Sequence, residues 1–211
     1  MSNSELSPKV VGIARHRLQT DGEGVSTLVV FHGCPLRCHY CLNPQTLDEG
    51  KRWRQYDCAA LYEEVKVDAL YFMATRGGVT FGGGEPCLYS EFIQEFRELC
   101  GNEWLLTVET SLNVGVEHIE RLLPVIDRFI IDIKDMNTDI YNRYTGKDNE
   151  AVIRNLHLLT ERGRADDIIV RVPLIPGYNT DKDIDESCRQ LKMLMKKSEK
   201  IVMYARSAGG H

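Results

Sequence analysis

Three cysteines lie close together directly after an apolar stretch of the chain. Cys34, Cys38 and Cys41 fall within eight residues and follow the run Leu28-Val29-Val30-Phe31. A strand that ends in such a loop can bring three thiolates to one point, and thiolates bind iron-sulfur clusters, zinc and copper. Structural zinc usually takes four protein ligands, whereas a cubane cluster held by only three cysteines leaves one iron open to another ligand.

The spacing of these cysteines resembles the signature of a known enzyme superfamily. Cys-x3-Cys-x2-Cys, with the aromatic Tyr40 before the third cysteine, resembles the motif of the radical S-adenosylmethionine (SAM) superfamily. The resemblance implies one [4Fe-4S] cluster held by the three cysteines, with SAM chelating the open iron and Tyr40 lying against the adenine. From the residues alone, a zinc loop completed by His39 or Cys58 is the alternative.

Four later apolar runs also end in, or contain, residues suited to ligand binding. In chain order these residues are Gly82-Gly83-Gly84-Glu85, Glu109-Thr110-Ser111, Asp132-Ile133-Lys134 and Arg171. In parallel α/β folds, ligands gather at the C-terminal ends of the strands. We therefore expect these side chains and the cysteine loop to form one site.

The resemblance implies a role for each of these strand ends. The glycine run resembles the superfamily's Gly-Gly-Glu motif, in which Gly84 would approach SAM closely and Glu85 would help to balance its ammonium group. Asp132 and Lys134 are two residues apart and so share one face of a strand; they resemble an Asp-x-Lys motif. Arg171 resembles an arginine that binds the SAM carboxylate. Without a ligand, the same residues would form a glycine turn and a structural salt bridge.

The end of the third run resembles a cation-binding sequence of the family. Glu109-Thr110 resembles an acidic-Thr-Asn sequence that, together with Asp132, is associated with a monovalent cation, although this chain has Glu for Asp and Ser111 for Asn. A monovalent cation is thus a further expectation. The complete set of residues predicted to bind SAM is Tyr40, Gly82, Gly83, Gly84, Glu85, Thr110, Asp132, Lys134 and Arg171.

Helical and β-rich segments alternate along the chain. Asp57 can cap a helix that runs to about Thr75, and Thr180 with Asp183 resembles a capping box at the start of the last helix. Helices are also predicted near 89–100, 116–123, 138–144 and 150–162, with short apolar runs between them. This alternation is typical of βαβ units with a parallel sheet.

Roughly six such units fit the 211 residues, too few for a closed eight-stranded barrel. We therefore predict an α/β fold, an open (β/α)6 partial TIM-like barrel with a parallel sheet, which is also the radical SAM fold that the resemblance implies. No linker is visible in the sequence. Residues 1–211 are predicted to be one radical SAM domain, with a flexible segment at 1–9.

Composition indicates a cytoplasmic protein without a nucleic-acid surface. The formal net charge is −5, and lysines and arginines are scattered along the chain. No run approaches the ~18 apolar residues of a membrane span, and the N-terminus lacks a basic stretch followed by an apolar one. Seven cysteines with one tight cluster favour metal ligation and free thiols over a disulfide framework. We expect a monomer that does not bind membranes.

The beginning of the chain narrows the resemblance to one family. An Asp-Gly-x-Gly turn at 21–24 precedes the cysteine strand, as in the glycyl-radical-enzyme activases of the pyruvate formate-lyase type. The resemblance implies reductive cleavage of SAM to a 5′-deoxyadenosyl radical, which abstracts a glycine Cα hydrogen from a partner glycyl radical enzyme, with flavodoxin or ferredoxin as electron donor. Only Cys58 lies between Cys41 and Gly82, so the ferredoxin-like insertion of several activases is absent.

Two other readings of the function stay open. One is a radical SAM enzyme with another substrate: activation of anaerobic ribonucleotide reductase, or modification of a peptide or small molecule. The other is a non-catalytic metal-binding module. The sequence also departs from the pyruvate formate-lyase type, because Ala205-Arg206-Ser207 follow Tyr204 where that type carries a SAM-binding histidine.

Overall fold

Eight strands of the chain pair into a single sheet. The structure is a computed structural model that describes residues 7–18, 24–50 and 52–195, and the backbone of 201–205. The strands are β1 (Lys9–Leu18), β2 (Val25–Phe31), β3 (Arg54–Gln55), β4 (Gly78–Gly83), β5 (Leu105–Thr110), β6 (Arg128–Asp132), β7 (Ile168–Leu174) and β8 (Ile201–Ala205). The helices are α1 (Cys58–Val65), α2 (Ala69–Thr75), α3 (Ser90–Cys100), α4 (Val116–Leu122), α5 (Thr138–Thr145), α6 (Glu150–Glu161) and α7 (Asp181–Met195).

Six of these strands are parallel. The order across the sheet is β3-β1-β2-β4-β5-β6-β7-β8, and the ladder from β2 to β8 is parallel throughout. Within the described chain, β3 and β8 form opposite edges, so the sheet does not close. The predicted open (β/α)6 partial barrel is therefore confirmed. A short first strand was expected at Val10 to Arg15, within β1, but its antiparallel direction was not, because an apolar run locates a strand and not its direction. The two-residue strand β3 was not predicted.

Aromatic and branched side chains on the outer face of the sheet form the core with the helices. Phe31 and Phe81 on neighbouring strands are fully buried, with ring centroids 5.5 Å apart. Phe96 of α3 packs edge-on against Phe81, also at 5.5 Å. Helical spacing in the sequence predicts that Phe92, Phe96 and Leu99 share one face of this helix. Phe92 and Phe96 are buried, but Leu99 is 45% exposed. The inner face of the sheet is left for polar and small residues.

The helix predicted from Asp57 to Thr75 is broken into two. Asp57 does cap α1, because its carboxylate accepts a hydrogen bond from Ala60 N (2.7 Å). A 3-10 turn at Lys66–Asp68 then separates α1 from α2. The cause is Asp68, a buried carboxylate that accepts hydrogen bonds from Arg15 Nη1 and Thr27 Oγ1, both at 2.8 Å. Periodicity cannot reveal such long-range bonds.

A bulge near the end of β1 changes which side chains face the interior of the sheet. Ala14 pairs with Leu28 and Arg17 pairs with Ser26, so Arg15 and His16 together lie opposite a single residue of β2. His16 adopts a φ of 56°, which a non-glycine residue rarely does. Paired residues of an antiparallel ladder share a face, so the bulge places Arg17 on the same inner face as Leu28.

The ends of the chain bear on two other predictions. Residues 1–6, most of the segment expected to be flexible, lie outside the described residues. Lys9 begins β1, and Pro8 O accepts a hydrogen bond from Tyr56 N (3.4 Å), so these two residues belong to the edge of the sheet. The single-domain boundary of 1–211 stays a prediction. None of the described helices is both long and apolar enough to cross a membrane.

Candidate functional site

The loop that follows β2 carries the three cysteines and is bound to the end of α5. Arg37 N donates a hydrogen bond to Thr145 O (2.9 Å), and His39 N donates one to Tyr144 O (3.1 Å). These acceptors are backbone carbonyls of the last turn of α5, which would otherwise lack partners within the helix. The cysteine loop therefore has a fixed position between the sheet and this helix.

The three cysteines line one cavity of about 510 Å³. Their thiols are free and partly buried. Burial, followed by the charge of Glu85, raises the pKa of Cys34 to about 12. A thiolate at this position is therefore costly near neutral pH unless a bound metal compensates its charge. The donor set fits an iron-sulfur cluster, which binds cysteines as thiolates.

Both side chains considered for a zinc loop have hydrogen-bond partners elsewhere in the structure. Cys58 lies buried in α1, and its Sγ donates to Phe92 O (3.3 Å). His39 Nδ1 is hydrogen-bonded to the Tyr178 hydroxyl (2.5 Å). Among the described residues, no three His, Cys, Asp or Glu side chains are grouped closely enough to hold a single metal ion.

The glycine run after β4 packs against the backbone of the cysteine loop. Glu85 N donates a hydrogen bond to Gly33 O (2.8 Å). A Cβ added at Gly84 would lie 2.2 Å from that same carbonyl oxygen, and one at Gly83, whose φ is +91°, would lie 2.4 Å from Val30 Cγ1. Gly84 therefore lies close to the cysteine loop, and its expected close approach to SAM stays a prediction. Glycine is required here to bring two strand ends together.

Glu85 ties the end of β4 to the end of β5. It is 1% exposed, and its Oε1 accepts hydrogen bonds from Thr110 Oγ1 (2.6 Å) and Cys87 N (3.2 Å). Its Oε2 accepts bonds from Ser111 N (2.9 Å) and Ser111 Oγ (2.7 Å). Ser111, which stands where the family sequence has Asn, thus supplies two of the four donors. A buried carboxylate is tolerated because each oxygen has partners.

Four charged side chains on β5, β6 and β7 form a network at the inner face. Arg171 donates from Nε to Asp132 Oδ1 (2.7 Å), and its Nη1 lies 2.9 Å from Glu109 Oε1. Lys134 Nζ donates to Asp132 Oδ2 (3.1 Å). Burial alone would raise the pKa of Asp132, but the charges of Lys134 and Arg171 outweigh burial and hold that pKa below its ordinary value. Arg171 thus links the two carboxylates expected to bind a monovalent cation, and the cation itself stays a prediction.

The cavity brings together ten of the twelve residues predicted from the sequence. They are Cys34, Cys38, Cys41, Gly83, Gly84, Glu85, Thr110, Asp132, Lys134 and Arg171. Gly82 lies just behind the lining, where a Cβ would meet Glu109 Oε2 at 3.1 Å. Tyr40 is outside the cavity wall and 53% exposed. The strand-end argument thus predicted most of the residues that line this cavity, and their roles stay a prediction.

Several lining residues were not predicted. They are Arg17, Leu28, Leu36, Leu42, Asn43 and Tyr144. Tyr144 comes from a helix, and Arg17 faces inward only because of the β1 bulge, so neither carries a signal in the sequence. Asn43 had one available signal, since it lies two residues after the last cysteine of the triad.

The loop after β5 is braced by another residue that the sequence did not reveal. Leu112 is fully buried with a φ of +58°. Asn155 of α6 donates from Nδ2 to the carbonyl oxygens of Leu112 and Val114, both at 2.9 Å. These bonds fix the backbone directly after Ser111, and hence the donors that hold Glu85.

Comparison with known proteins decides the family. Residues 28–191, which include the cysteine loop and all five strand ends, match the family model described as the Radical SAM superfamily. The chain belongs to the radical SAM superfamily. Enzymes of this superfamily use a [4Fe-4S] cluster and SAM, so these are the cofactors of this radical SAM protein. The donor set and cavity described above fit both groups.

Curated relatives place this radical SAM protein among the glycyl-radical-enzyme activating enzymes. It is 36% identical to the (2S)-3-sulfopropanediol dehydratase activating enzyme of Klebsiella oxytoca, over 76% of this chain and 69% of the relative. It is 33% identical to the pyruvate formate-lyase-activating enzyme of Staphylococcus aureus, over 77% of this chain and 67% of the relative. The first alignment spans 222 positions, more than the 211 residues here, so that relative carries residues this chain lacks.

A solved structure shows the same fold at low sequence identity. Streptococcus suis SuiB bound to S-adenosylmethionine superposes with a TM-score of 0.64 at 15% identity, over 84% of this chain and 39% of that chain. The likeness confirms the radical SAM architecture.

Proposed function

We propose that the protein activates a glycyl radical enzyme. The observation that supports this proposal is the convergence of three cysteine thiols and the charged ends of β5, β6 and β7 on one cavity of about 510 Å³. The cavity has the donors for a cluster and the opposite charges for a zwitterionic nucleoside ligand. The two curated relatives named above are both activating enzymes.

Cys34, Cys38 and Cys41 are proposed to hold the cluster. When bound, the cluster would supply the electron that cleaves SAM to methionine and a 5′-deoxyadenosyl radical, which takes a hydrogen atom from a glycine Cα of the partner. Reduced flavodoxin or ferredoxin is the proposed electron donor. The chain itself contributes position and exclusion of water, as is general for enzymes whose cofactors do the difficult chemistry.

The remaining predicted residues are proposed to bind and orient SAM. Lys134 and Arg171 would meet its carboxylate, because they are the cations that line the cavity beside Asp132. Asp132 would keep both cations in place while remaining ionised. Glu85 and Thr110, with the run Gly82-Gly83-Gly84, would form the wall on the side of the amino group. Tyr40 would lie against the adenine.

The proposal is tested by anaerobic reconstitution followed by activation. We expect about four iron atoms per chain, and loss of most of that iron in Cys38→Ala. Cys188→Ser, on α7 and away from the cavity, is the matched control and should keep its iron. The reduced protein with SAM and a candidate glycyl radical enzyme should then give a glycine-centred electron paramagnetic resonance doublet.

Two results would overturn the proposal in different ways. Cleavage of SAM without a glycyl doublet, across the candidate partners, would indicate a radical SAM enzyme with another substrate. About one zinc and no iron per chain would indicate a metal-binding module.

A further inference from the structure

A cluster of aromatic rings joins the cysteine loop to the loop that follows β7. Tyr178, in the β7–α7 connection, packs edge-on against Tyr40 (ring centroids 6.0 Å apart, interplanar angle 86°) and against Tyr144 (5.1 Å, 67°). Its ring is 5.4 Å from that of His39. His39 and Tyr40 are the two residues between Cys38 and Cys41. Tyr178 therefore contacts both side chains that separate two of the proposed cluster ligands.

Tyr178 also makes hydrogen bonds, which restrict its orientation further. The Tyr178 hydroxyl is hydrogen-bonded to His39 Nδ1 (2.5 Å). Arg143 of α5 donates from Nη2 to Tyr178 O (3.0 Å) and has its guanidinium 6.0 Å from the ring centroid. Tyr178 is thus bonded at its backbone to α5 and at its hydroxyl to the cysteine loop.

The residue after Tyr178 gives the β7–α7 connection a rigid base. Asn179 is buried, and its Oδ1 accepts a hydrogen bond from Ile175 N (2.6 Å). Its Nδ2 donates to Pro173 O (3.0 Å) and to Asp135 Oδ2 (3.2 Å). The turn is closed on itself and tied to the end of β6, so the position of Tyr178 is set independently of the cysteine loop.

Tyr40, by contrast, has little burial to fix its orientation. It is 53% exposed, and its ring packs against those of Tyr178 and Tyr144 (6.3 Å). An aromatic ring at the surface keeps one orientation only when neighbouring rings restrict it. The backbone of the same segment is held by the bond from His39 N to Tyr144 O. Tyr178 packs on the side chains of both His39 and Tyr40.

We propose that Tyr178 is a positioning residue that fixes the segment between Cys38 and Cys41, and with it the ring of Tyr40, in the arrangement that the cluster and SAM require. The β7–α7 loop thereby braces the cysteine loop together with α5. This inference rests on the proposed roles of Cys38, Cys41 and Tyr40. It does not depend on the identity of the partner protein.

Three variants separate a positioning role from a merely structural one. Tyr178→Leu removes the ring contacts and the hydroxyl, whereas Tyr178→Phe keeps the ring and loses only the bond to His39. Tyr71→Leu is the matched control, because Tyr71 on α2 also packs on a histidine ring, that of His16 at 4.7 Å, away from the cavity. Each variant is prepared with and without the cluster under anaerobic conditions.

Two measurements apply to these variants. Amide hydrogen exchange of the iron-free protein reports the order of residues 36–41, and steady-state SAM cleavage without any partner protein gives KM and kcat. For Tyr178→Leu we expect faster exchange confined to residues 36–41 and a KM for SAM raised roughly three- to tenfold with kcat nearly unchanged, because an aromatic pair contributes about that much to binding. The KM of Tyr178→Phe should be close to that of the wild type, and Tyr71→Leu should match the wild type in both measurements.

The opposite results would overturn the proposal. Wild-type exchange and KM in Tyr178→Leu would show that the ring does not position the segment. Faster exchange throughout the sheet would show a general structural role instead. Since SAM cleavage is measured without a partner, failure to form a glycyl radical would count against the proposed function and leave this test intact.

Discussion

At the scale of single residues, Glu85 is a buried carboxylate that depends on several hydrogen bonds. Both of its oxygens accept hydrogen bonds from residues on β5 or the following loop, and it is almost fully buried. Its charge also faces the cysteine loop, where it contributes to the raised pKa of Cys34. The residue therefore links the fold of the strand ends to the electrostatics of the thiols.

Replacing Glu85 with glutamine should destabilise the protein. In Glu85→Gln an amide NH₂ would face the donors of Thr110 or Ser111, leaving buried donors without acceptors. We expect the free energy of unfolding to fall by about 1–3 kcal/mol, measured by urea denaturation of the iron-free protein. Glu161→Gln, on the exposed side of α6, should change it little. Equal stability of the two variants would contradict the buried bonding of Glu85.

The lowered pKa of Asp132 predicts how stability depends on pH. A carboxyl whose pKa is lower in the folded than in the unfolded state stabilises the fold above its ordinary pKa of 3.8, and loses that contribution as pH falls through the folded-state value. The stability difference between wild type and Asp132→Asn should therefore be constant from neutral pH to about pH 4 and shrink below it. Denaturation series at several pH values measure this difference. Asp185→Asn, on the exposed face of α7, should show no such change, and a difference that grows in acid would contradict the assignment.

Residue types and spacing predicted the thiols and charged side chains of the candidate site better than they predicted the aromatic residues that pack against the cysteine loop. The cysteine triad, Asp132, Lys134 and Arg171 were predicted because thiols and charges stand out at the ends of apolar runs. Tyr144 and Tyr178 were not, because an aromatic residue on a helix or in a loop looks like ordinary packing. Their proximity to the cysteine loop arises only when α5 and the β7–α7 connection fold against it.

At the scale of elements, the approach of β4 to the cysteine loop depends on glycine. A Cβ at Gly84 would overlap Gly33 O at 2.2 Å, whereas a Cβ at Gly12 on β1 would meet no atom within 4 Å. Gly12 lies on β1 and Gly84 directly after β4, the strands on either side of β2, and the two positions differ in this contact. They therefore offer a paired test of the close approach.

Gly84→Ala should displace the cysteine loop, and Gly12→Ala should not. We expect the first variant to take up less iron on reconstitution and to bind SAM at least tenfold more weakly, a change of roughly 1.4 kcal/mol, because the loop must shift to relieve the overlap. The second should reconstitute like the wild type. Iron analysis and equilibrium SAM binding measure both effects. Full iron loading in Gly84→Ala would show that the loop accommodates a side chain.

Helices and strands were predictable where the buried side chains recur at regular spacing in the sequence. They were not predictable where hydrogen bonds to residues distant in the chain change the local structure. The alternation of short apolar runs and amphipathic segments gave the parallel strands β2 and β4 to β8, and the open barrel. The break between α1 and α2 follows from Asp68, which binds side chains of β1 and β2 from 53 and 41 residues away in the chain. The direction of β1 and its bulge likewise depend on pairing with β2, which no local pattern encodes.

At the scale of the whole molecule, most of the hydrophobic core lies outside the cofactor site. The buried apolar side chains form one cluster that extends from Val10 on β1 to Met195 on α7, between the sheet and the helices. The cysteines lie at the rim of that cluster, on a loop held by backbone hydrogen bonds. The fold should therefore not depend on the cluster in the way that small zinc domains depend on zinc.

Removal of the iron should leave the protein folded. We expect the far-UV circular dichroism of the iron-free chain to match that of the loaded chain, because the core does not include the cluster. The melting temperature should be lower without iron, since a group that binds only the native state stabilises it. Thermal melts of both forms, recorded anaerobically, measure the difference. An unfolded iron-free chain would contradict the separation of core and site.

In the part of the chain that the structure describes, the sheet ends at β3 on one side and at β8 on the other, which has a consequence for what can reach its inner face. In a closed barrel, another polypeptide can reach the inner face only through an open end of the barrel. In an open sheet, a bent segment from the middle of another polypeptide can enter between the two edge strands, while the chain before and after the bend stays outside. The other polypeptide therefore does not need to insert one of its termini into the barrel. This would suit the proposed function, in which the enzyme binds each partner protein once and then releases it, because the bound segment could enter and leave by the same short path.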